Sequence, residues 1–452
     1  MNLHKLVYAF SGILFLASCE KELEIDPTDN LPGDQAFTSE LNISSILVGT
    51  YEEAGQPTTY GGNLQMTTDL LGTLDQAFWL GTFLDPRQAF TKSLLVDNGW
   101  VEDIWANAYE TINQANLVID NLDIVTSSEA ERNRIEGEAK FLRALNYFDL
   151  VRNFGAPYET GQPNSQLGVP LRLEGIIEYS LPQPIARSTV GEVYAQIISD
   201  ATNAYELLPS ENSFYADRYA AQALLARIYF QQGEYAAARD AAHDVLENSG
   251  HSLATTFASA FNNDVDSPED IFTFQVTSQT GINNLVTHYA SEGDGGRGGD
   301  IVVEDAYLEL FDDPNDERGS FVYINPDNDR RLTLKYTNQF ANVIIFRIAE
   351  MHLIRAESNF REGTVVGLEP LLEINALRGR SGAAALDGPL TLELLARERQ
   401  LELAFEGFLL NDIKRTQGSV GDIPWDDTSL YFPIPQTEMD TNPLMEQNEG
   451  YD

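Results

Sequence analysis

The chain is nearly free of cysteine, with one residue, Cys19, among 452. Cys19 lies directly behind a short apolar run that begins after Lys5. That run is too short for a membrane span, because a bilayer core of about 30 Å needs about 20 apolar residues in a helix. A basic start, an apolar stretch and small residues before the cysteine are the layout of a secretory signal. The sequence therefore predicts a lipoprotein signal peptide over 1–18 and acylation of Cys19. An ordinary signal followed by an accidental cysteine is the alternative.

Basic residues are also scarce. The chain has 28 Lys and Arg against 70 Asp and Glu, which gives a formal net charge of -42 at pH 7. A protein with this negative electrostatic field repels nucleic acid phosphates and anionic membrane surfaces. Nucleic acid is therefore excluded as a partner. The acidity is typical of a protein from a salty habitat, and it equally well serves solubility; the sequence leaves both explanations open.

Residues for catalysis and metal binding are few. The chain has five histidines, and no two of them have His-Glu-x-x-His or similar ligand spacing. Carboxylates are too numerous for any pair to indicate glycosidase chemistry. The acidic turn 312–316 could offer oxygen ligands to calcium, but its spacing is not that of an EF-hand, and we interpret it as a solvated turn. The sequence therefore predicts neither an enzyme nor a metal or cofactor site.

Helical periodicity dominates the rest of the chain. In 137–153 apolar residues recur at spacings of three and four, which places them on one helix face. The alanine-rich block 219–248 has Gly233 near its middle and predicts two antiparallel helices of the tetratricopeptide type. We predict further pairs from 98–121 with 128–153 and from 343–360 with 367–379. The expected fold is mainly α, with tetratricopeptide-like helical pairs, an irregular loop-rich side and a few short strands, one of them at 271–276.

Composition also predicts the organisation of the chain. Residues 19–40 are polar, contain Pro, Gly and Asp, and show no period, which is typical of a tether. Residues 41–452 are expected to form a single domain.

The densest charge cluster covers 397–415. Glu398, Glu402 and Glu406 are spaced by four, which predicts that they share one helix face. The basic residues expected to pair with them are Arg397, Arg399, Lys414 and Arg415. Perturbed charges can mark an active site, but at this density on a packed helix we interpret the cluster as structural ion pairing.

Aromatic residues on irregular backbone indicate a ligand site. The segment 76–87 carries Phe78, Trp79 and Phe83 without an amphipathic period, and the glycine-rich segment 291–300 follows Tyr289. Aromatic faces beside polar groups suit a carbohydrate, whose C–H faces stack on rings while its hydroxyls form hydrogen bonds. Trp79 either stacks on the ligand or fills the core, and Phe78 is expected in the core. The predicted ligand-binding residues are Trp79, Phe83, Tyr289, Asp294 and Arg297.

Several blocks, in this order along the chain, resemble the SusD/RagB family of surface lipoproteins from Bacteroidota. Residues 105–116 have the family's Trp-x3-Tyr-x2-Ile-x2-Ala-Asn pattern, and 137–158 is the strongest block. The other matching blocks are 23–27 behind Cys19, 187–209, 346–363, 374–382, 398–407 and 431–451. There are two departures from the family pattern. The chain is short for the family, so a small ligand site is expected, and Phe408-Leu409-Leu410 stands where the family usually has Arg-Trp.

The resemblance implies a non-catalytic binding protein on the cell surface, anchored in the outer membrane through Cys19. Such a protein captures oligosaccharides and passes them to a SusC-like TonB-dependent transporter. The family's ligand residues lie in variable loops, so no binding residue is carried over by motif. Peptide capture is the alternative ligand class, and a helical glycoside hydrolase is the alternative from another class of protein.

Overall fold

The computed structural model describes residues 37–177, 183–277 and 281–451. Cys19, the predicted signal peptide and most of the predicted tether lie outside the described residues. The described residues form sixteen α-helices: α1 (Glu40–Ala54), α2 (Asn63–Gly72), α3 (Leu84–Phe90), α4 (Gly99–Asp120), α5 (Glu129–Phe154), α6 (Val190–Leu207), α7 (Arg218–Gln232), α8 (Tyr235–Asn248), α9 (Asn284–Tyr289), α10 (Asp305–Leu308), α11 (Glu317–Ser320), α12 (Ile348–Glu362), α13 (Pro370–Arg380), α14 (Leu392–Leu403), α15 (Leu409–Thr416) and α16 (Gln436–Thr441).

Helices that follow one another in the chain pack side by side and form the frame of the molecule. α4 packs on α5, α5 on α6, α6 on α7, and α7 on α8. After a long irregular stretch the chain returns, and α12 packs on both α8 and α13. The predicted mainly α fold with tetratricopeptide-like pairs is confirmed.

The α7–α8 hairpin shows why the sequence folds in this way locally. The side chain of Asp217 caps α7 by accepting hydrogen bonds from the backbone N–H groups of Tyr219 and Ala220, both at 2.8 Å. Gly233 ends the helix with a φ of 75°, a conformation in which a Cβ is unfavourable. A Cβ at this position would also lie 2.5 Å from Oγ1 of Thr160. The turn is therefore tight, and α8 runs back along α7.

The strands form four separate two-stranded antiparallel ribbons within the described residues. Their pairs are β1 (Ala77–Trp79) with β3 (Ile301–Val303), β2 (Asp270–Phe274) with β6 (Val343–Arg347), β4 (Val322–Ile324) with β5 (Arg331–Thr333), and β7 (Ser419–Val420) with β8 (Ile423–Pro424).

One predicted helix begins later than the sequence suggested. The prediction placed a helix over 343–360, but the first five of these residues form β6, and α12 begins at Ile348. Valine and isoleucine at 343–345 favour an extended backbone, and pairing with the predicted strand at 271–276, observed as β2, stabilises it.

The charge cluster at 397–415 forms structural ion pairs, as predicted, but two details of the prediction are wrong. α14 ends at Leu403 and Phe405 has a φ of 67°, so Glu406 does not share the helix face of Glu398 and Glu402. The partners of these three glutamates are also mostly distant in sequence, because side chains facing inward meet residues of other elements. The pairing residues are Arg318, Lys335, Arg347, Arg378 and Arg380.

The basic residues near the cluster have their shorter ion pairs and hydrogen bonds elsewhere, and only the predicted pair of Arg397 with Glu398, at 3.9 Å, is observed among the described residues. Arg399 bonds Asp412 at 2.8 Å, Arg415 bonds Glu357 at 2.8 Å, and Lys414 donates to the carbonyl oxygen of Arg152 at 2.9 Å. Arg397 bonds Asp312 at 2.6 Å, and the Asp312 side chain is still 42% exposed, so the acidic turn is solvated, as predicted, and also ion-paired.

The apolar core is one large cluster that draws residues from both ends of the described chain, from Ile43 to Met445. Two smaller clusters lie beneath α12 to α14 and around Phe257. In the ranges that the structure describes, no helix is both long enough and apolar enough to span a membrane.

Candidate ligand-binding surface

The β1–β3 ribbon brings the two irregular aromatic segments together. Trp79 at the end of β1 is in register with Ile301 at the start of β3. Just beyond the ribbon, the backbone N–H groups of Leu80 and Gly81 both donate to the carbonyl oxygen of Asp300, at 2.7 and 3.2 Å. The segment 76–87 is thereby fixed against the end of the glycine-rich loop.

Asp300 is the central polar group of this region. Its carboxylate oxygen Oδ2 lies 2.8 Å from Nδ1 of His288 and 3.1 Å from Nε of Arg297. His288 and Asp300 are buried, whereas the side chain of Arg297 is 42% exposed. The buried carboxylate therefore fixes the direction of an exposed guanidinium group.

The Arg297 guanidinium lies over the ring of Phe83, with its Cζ 4.3 Å from the ring centroid. This is a cation–π contact, in which the positive charge is attracted to the face of the ring. Phe83 is still 43% exposed. An aromatic surface and several N–H donors are thus presented side by side to solvent.

A second ring, that of Trp100, borders the same place. It lies in the first turn of α4, where the side chain of Asn98 caps the helix by accepting a hydrogen bond from the N–H of Val101. The centroid of the His288 ring is 5.3 Å from that of Trp100 and 6.1 Å from that of Phe83. Trp100 is half-buried, so part of its ring also faces solvent. We call Phe83, Trp100, His288, Arg297 and Asp300 the Phe83 surface.

Trp79 and Tyr289 lie in the core rather than on this surface. Trp79 is 2% exposed and packs against Trp100 and His288, so of the two alternatives the structure favours core packing. Tyr289 is 1% exposed and packs against Tyr336, with ring centroids 5.1 Å apart. Burial raises the pKa of Tyr289 well above its usual value.

Asp294 is placed near Arg297 in the chain but points to other partners. Its carboxylate accepts hydrogen bonds from Ser291 Oγ at 2.6 Å and from the hydroxyl of Tyr323 at 2.9 Å. The Tyr323 oxygen in turn accepts a bond from the backbone N–H of Ser291 at 2.8 Å. Asp294 therefore holds the glycine-rich loop to β4.

Of the five residues that the sequence predicted, the structure brings together Phe83 and Arg297, with Trp79 beneath them. Sequence reasoning missed Trp100, His288 and Asp300. The only local signal for Trp100 is its place two residues after the helix cap Asn98. No sequence spacing connects His288 to Asp300 and Trp100.

Phe78 was expected in the core but is 43% exposed, because alternation along β1 turns it to the side opposite Trp79. It is part of a group of exposed apolar side chains in the segment 74–95. We call this group the apolar rim: Leu74, Phe78, Leu80, Phe83, Leu84 and Leu95. These six residues are close together in sequence, and exposed apolar side chains that form a contiguous patch mark a surface that binds a ligand or a partner.

The chemistry available here is that of binding. The Phe83 surface offers rings for stacking and N–H donors for hydrogen bonds, and its carboxylate, that of Asp300, is already bonded to Arg297 and His288. Among the described residues, no group of three or more His, Cys, Asp or Glu side chains could hold a metal ion.

The chain is similar to known proteins over almost its whole length. Residues 23–230 match a family model described as starch-binding and associating with the outer membrane, and 321–426 match the model of the SusD family. A SusD-like protein of Formosa agariphila is 26% identical, in an alignment that covers 97% of this chain and 98% of that protein.

Solved structures show the same fold. A SusD superfamily protein of Bacteroides thetaiotaomicron superposes with a TM-score of 0.82 at 27% identity, covering 91% of this chain and 99% of that one. A candidate sugar-binding protein of Bacteroides vulgatus superposes with a TM-score of 0.82 at 26% identity, covering 92% and 100%. Two family models, a relative aligned along its whole length and two structural neighbours agree, and the chain belongs to the SusD/RagB family.

Proposed function

We propose that this protein captures oligosaccharides at the bacterial cell surface, without cleaving them, and passes them to a SusC-like TonB-dependent transporter. The observation that carries the proposal is the Arg297 guanidinium held 4.3 Å above the exposed ring of Phe83 by the buried carboxylate of Asp300. A sugar stacks its C–H face on such a ring, and its hydroxyls bond the neighbouring N–H groups. The match to a family model described as starch-binding supports this ligand class.

The pre-formed geometry of the Phe83 surface also supports binding. Asp300 holds Arg297 and His288 through its carboxylate, and Leu80 and Gly81 through its backbone. Groups that are already ordered lose little conformational entropy when a ligand binds, so more of the contact energy remains as affinity.

Phe83→Ala tests the proposal. It should weaken binding of the cognate oligosaccharide by about 1–3 kcal/mol, or about five- to 150-fold, because one stacking surface is lost. Affinity electrophoresis against a panel of polysaccharides identifies the ligand, and isothermal titration measures the affinity. Since Phe83 is 43% exposed, the melting temperature should fall less than on removal of a fully buried ring.

Leu372→Ala is the matched control, because Leu372 is 60% exposed on α13, outside the Phe83 surface. Equal affinities of both variants and the parent protein would remove the Phe83 surface from the proposal. Binding of peptides but of no glycan would favour the peptide alternative. New reducing ends released from a polysaccharide would instead favour the hydrolase alternative.

The anchor and the location form part of the same proposal. We expect Cys19→Ala to abolish acylation and to move the protein from the detergent phase to the aqueous phase, because a lipid chain is the proposed attachment. Retention of the variant in the detergent phase would contradict lipid anchoring. Protease added to intact cells should digest the parent protein; full protection would contradict surface exposure.

The apolar rim supports a protein partner beside the ligand site. A stable complex with the transporter should bury more than about 1,000 Å² in total, and the five residues of the apolar rim other than Phe83 offer exposed apolar side chains for such an interface. Purification from native membranes in mild detergent should recover a β-barrel transporter with the parent protein. Repeated recovery of this chain alone would contradict the partnership.

A further inference from the structure

A second concave surface lies away from the Phe83 surface and shares no lining residue with it. This groove has a volume of about 670 Å³ and runs between the C-terminal half of α1, the end of β2 and the turn at 214–215. The lining residues that matter here are Tyr51, Glu52, Phe214, Tyr215 and Gln275. A concave site of this size is in the range of small-molecule and cofactor sites.

The groove has an aromatic wall that reaches from solvent into the core. Phe214 is 49% exposed, and its ring centroid lies 4.6 Å from that of Tyr215. Tyr215 in turn lies 4.9 Å from Tyr51, which is buried and whose hydroxyl accepts a bond from the N–H of Ala216 at 3.1 Å. The inner ring is thus fixed, and the outer ring is presented to solvent.

The backbone that presents Phe214 is strained. Ser213, directly before it, has a φ of 56°, a conformation that L residues other than Asn, Asp and Gly rarely adopt. Such strain is concentrated at functional sites. Phe214 packs on Tyr215 with part of its ring and leaves 49% of the side chain in solvent.

Thr273 and Gln275 add ordered polar side chains to the lining of the groove. The side-chain amide of Gln275 donates to Thr273 Oγ1 at 2.7 Å, and its Oε1 accepts from Asn342 at 3.1 Å. Asp266 completes the set by accepting from Thr273 at 2.7 Å and from Asn342 at 2.9 Å. Aromatic rings together with ordered amide and hydroxyl groups in one groove suit a ligand that has both C–H faces and hydroxyl groups.

The charge of the groove restricts the ligand further. Glu52 is exposed at the groove, and no Lys or Arg is among the described residues that line it. The formal net charge of -42 adds to the repulsion of anions. A sugar that carries carboxylate or sulfate groups would be disfavoured here.

We propose that the groove is a second carbohydrate-binding site, which takes neutral oligosaccharides on the Phe214 ring. This inference rests on the proposed function for the class of ligand but on separate residues for the place of binding. Two sites on one body let a long glycan bind at two points, and the second contact then forms at a high effective concentration.

The test uses the full-length chain and two variants that remove one exposed ring each, Phe214→Ala and Phe83→Ala. The probes are neutral hexasaccharides of the malto, laminari, cello and xylo series, with an oligogalacturonide as the anionic comparison. Isothermal titration of the parent protein should give two sites for one neutral probe. Phe214→Ala should weaken one of them about tenfold or more and leave the other unchanged.

The two proposals fail in different ways. Loss of all binding in Phe83→Ala, with no effect of Phe214→Ala, overturns the second site and leaves the proposed function in place. The reverse result overturns the Phe83 surface and supports the groove. Failure of every probe to bind the parent protein counts against both.

A second variant guards against an indirect effect of Phe214→Ala. Val48 is 40% exposed and lines the groove from α1, so Val48→Arg fills the groove without disturbing the core. It should remove the same site as Phe214→Ala. Hydrogen exchange with saturating neutral probe should show protection of 48–57 in the parent protein, and unchanged exchange there would overturn the proposal.

Discussion

The α7–α8 hairpin and the region around α14 are held together by opposite kinds of interaction. In the hairpin, alanines without any exposed surface let two helix backbones approach closely. Around α14, buried arginines and glutamates bond one another. Arg347 alone bonds Glu269 at 2.9 Å, Glu402 at 2.7 Å and Glu406 at 2.8 Å. The hairpin is specified by shape, and the α14 region by charge.

The difference follows from what each region has to join. The hairpin connects neighbours in sequence, and a tight turn with small residues is sufficient for that. The α14 region joins segments that have little regular structure, such as the stretch before β6 and the turn at α11. A buried ion pair contributes little net stability against an apolar pair, but it leaves a large penalty when a partner is missing. Charge therefore fixes which irregular segments meet.

The strongest test of this comparison is Arg347→Met. The substitution leaves three buried carboxylates without their shared cation, and we expect it to lower the free energy of unfolding by about 3–5 kcal/mol. Chemical denaturation followed by circular dichroism measures the change. Arg331→Met is the control, because Arg331 pairs with the largely exposed Asp305, and such a pair contributes about 0–1 kcal/mol. Similar losses in the two variants would contradict the role given to the buried network.

A second test concerns the close packing of helices in the α7–α8 hairpin. Ala238 on α8 has no exposed surface, and Ala238→Leu forces extra methyl groups into a close helix contact. We expect a loss of about 1–3 kcal/mol in the free energy of unfolding. Ala236→Leu, two residues earlier on the exposed side of the same helix, should have little effect. Equal stability of the two variants would show that the hairpin is not tightly packed.

A third test compares a buried carboxylate that has no arginine partner with the buried carboxylates that have one. Asp270 is buried beside Glu269 but has no arginine partner in the described chain, and its Oδ1 accepts no hydrogen bond. Burial, with Asp266 and Glu269 adding to it, raises the pKa of Asp270 from 3.8 to about 7. The folded protein thus holds a proton that the unfolded chain releases, and stability contributed by this group falls as pH rises from about 4 to about 7.

Asp270→Asn should remove this dependence. We expect the variant to melt a few degrees higher than the parent protein at pH 8, where burial of the charged Asp270 carboxylate opposes folding, and at the same temperature at pH 4. A thermal melt at the two pH values decides. Destabilisation at pH 8 would mean that the Asp270 carboxylate is stabilised by its surroundings after all.

Glu402 shows the opposite behaviour. Burial acts to raise its pKa, but the guanidinium groups of Arg380, Arg347 and Arg318 outweigh burial and hold the pKa well below its usual value. Stability from this group is present above the unfolded pKa of about 4.5 and is lost as pH falls through the folded one. The contrast with Asp270 depends on the arginines, since both carboxyl groups are buried.

The sequence predicted the helical frame well and the ionic region poorly, for a physical reason. Periodicity and caps are local, so the helices predicted at 98–121 and 128–153 are observed at Gly99–Asp120 and Glu129–Phe154. Ion-pair partners are tertiary, and of the four basic residues expected to pair with the glutamates of 397–415 only Arg397 does so, at 3.9 Å from Glu398. The density of charge in the sequence could indicate that Glu402 forms an ion pair, but it could not identify Arg347 as the partner.

The candidate site was predicted in part for the same reason. Phe83 and Arg297 were found because irregular, aromatic and glycine-rich segments are visible in sequence. Trp100, His288 and Asp300 were missed because their relation exists only in three dimensions. Alternation along three residues of β1 decides that Trp79 is buried and Phe78 is exposed, and the sequence did not reveal this strand.

The β1–β3 ribbon also determines when the Phe83 surface can form as the chain is synthesised. Its register pairs Trp79 with Ile301, so the two edges of the Phe83 surface are separated by most of the helical frame. Contacts between such distant positions close a long loop and form late, after the local helices. A chain that emerges N-terminus first therefore has no complete Phe83 surface until residue 303 has emerged. A fragment truncated before β3 would carry all five residues of the Phe83 surface but would lack the ribbon that pairs the segment 76–87 with β3.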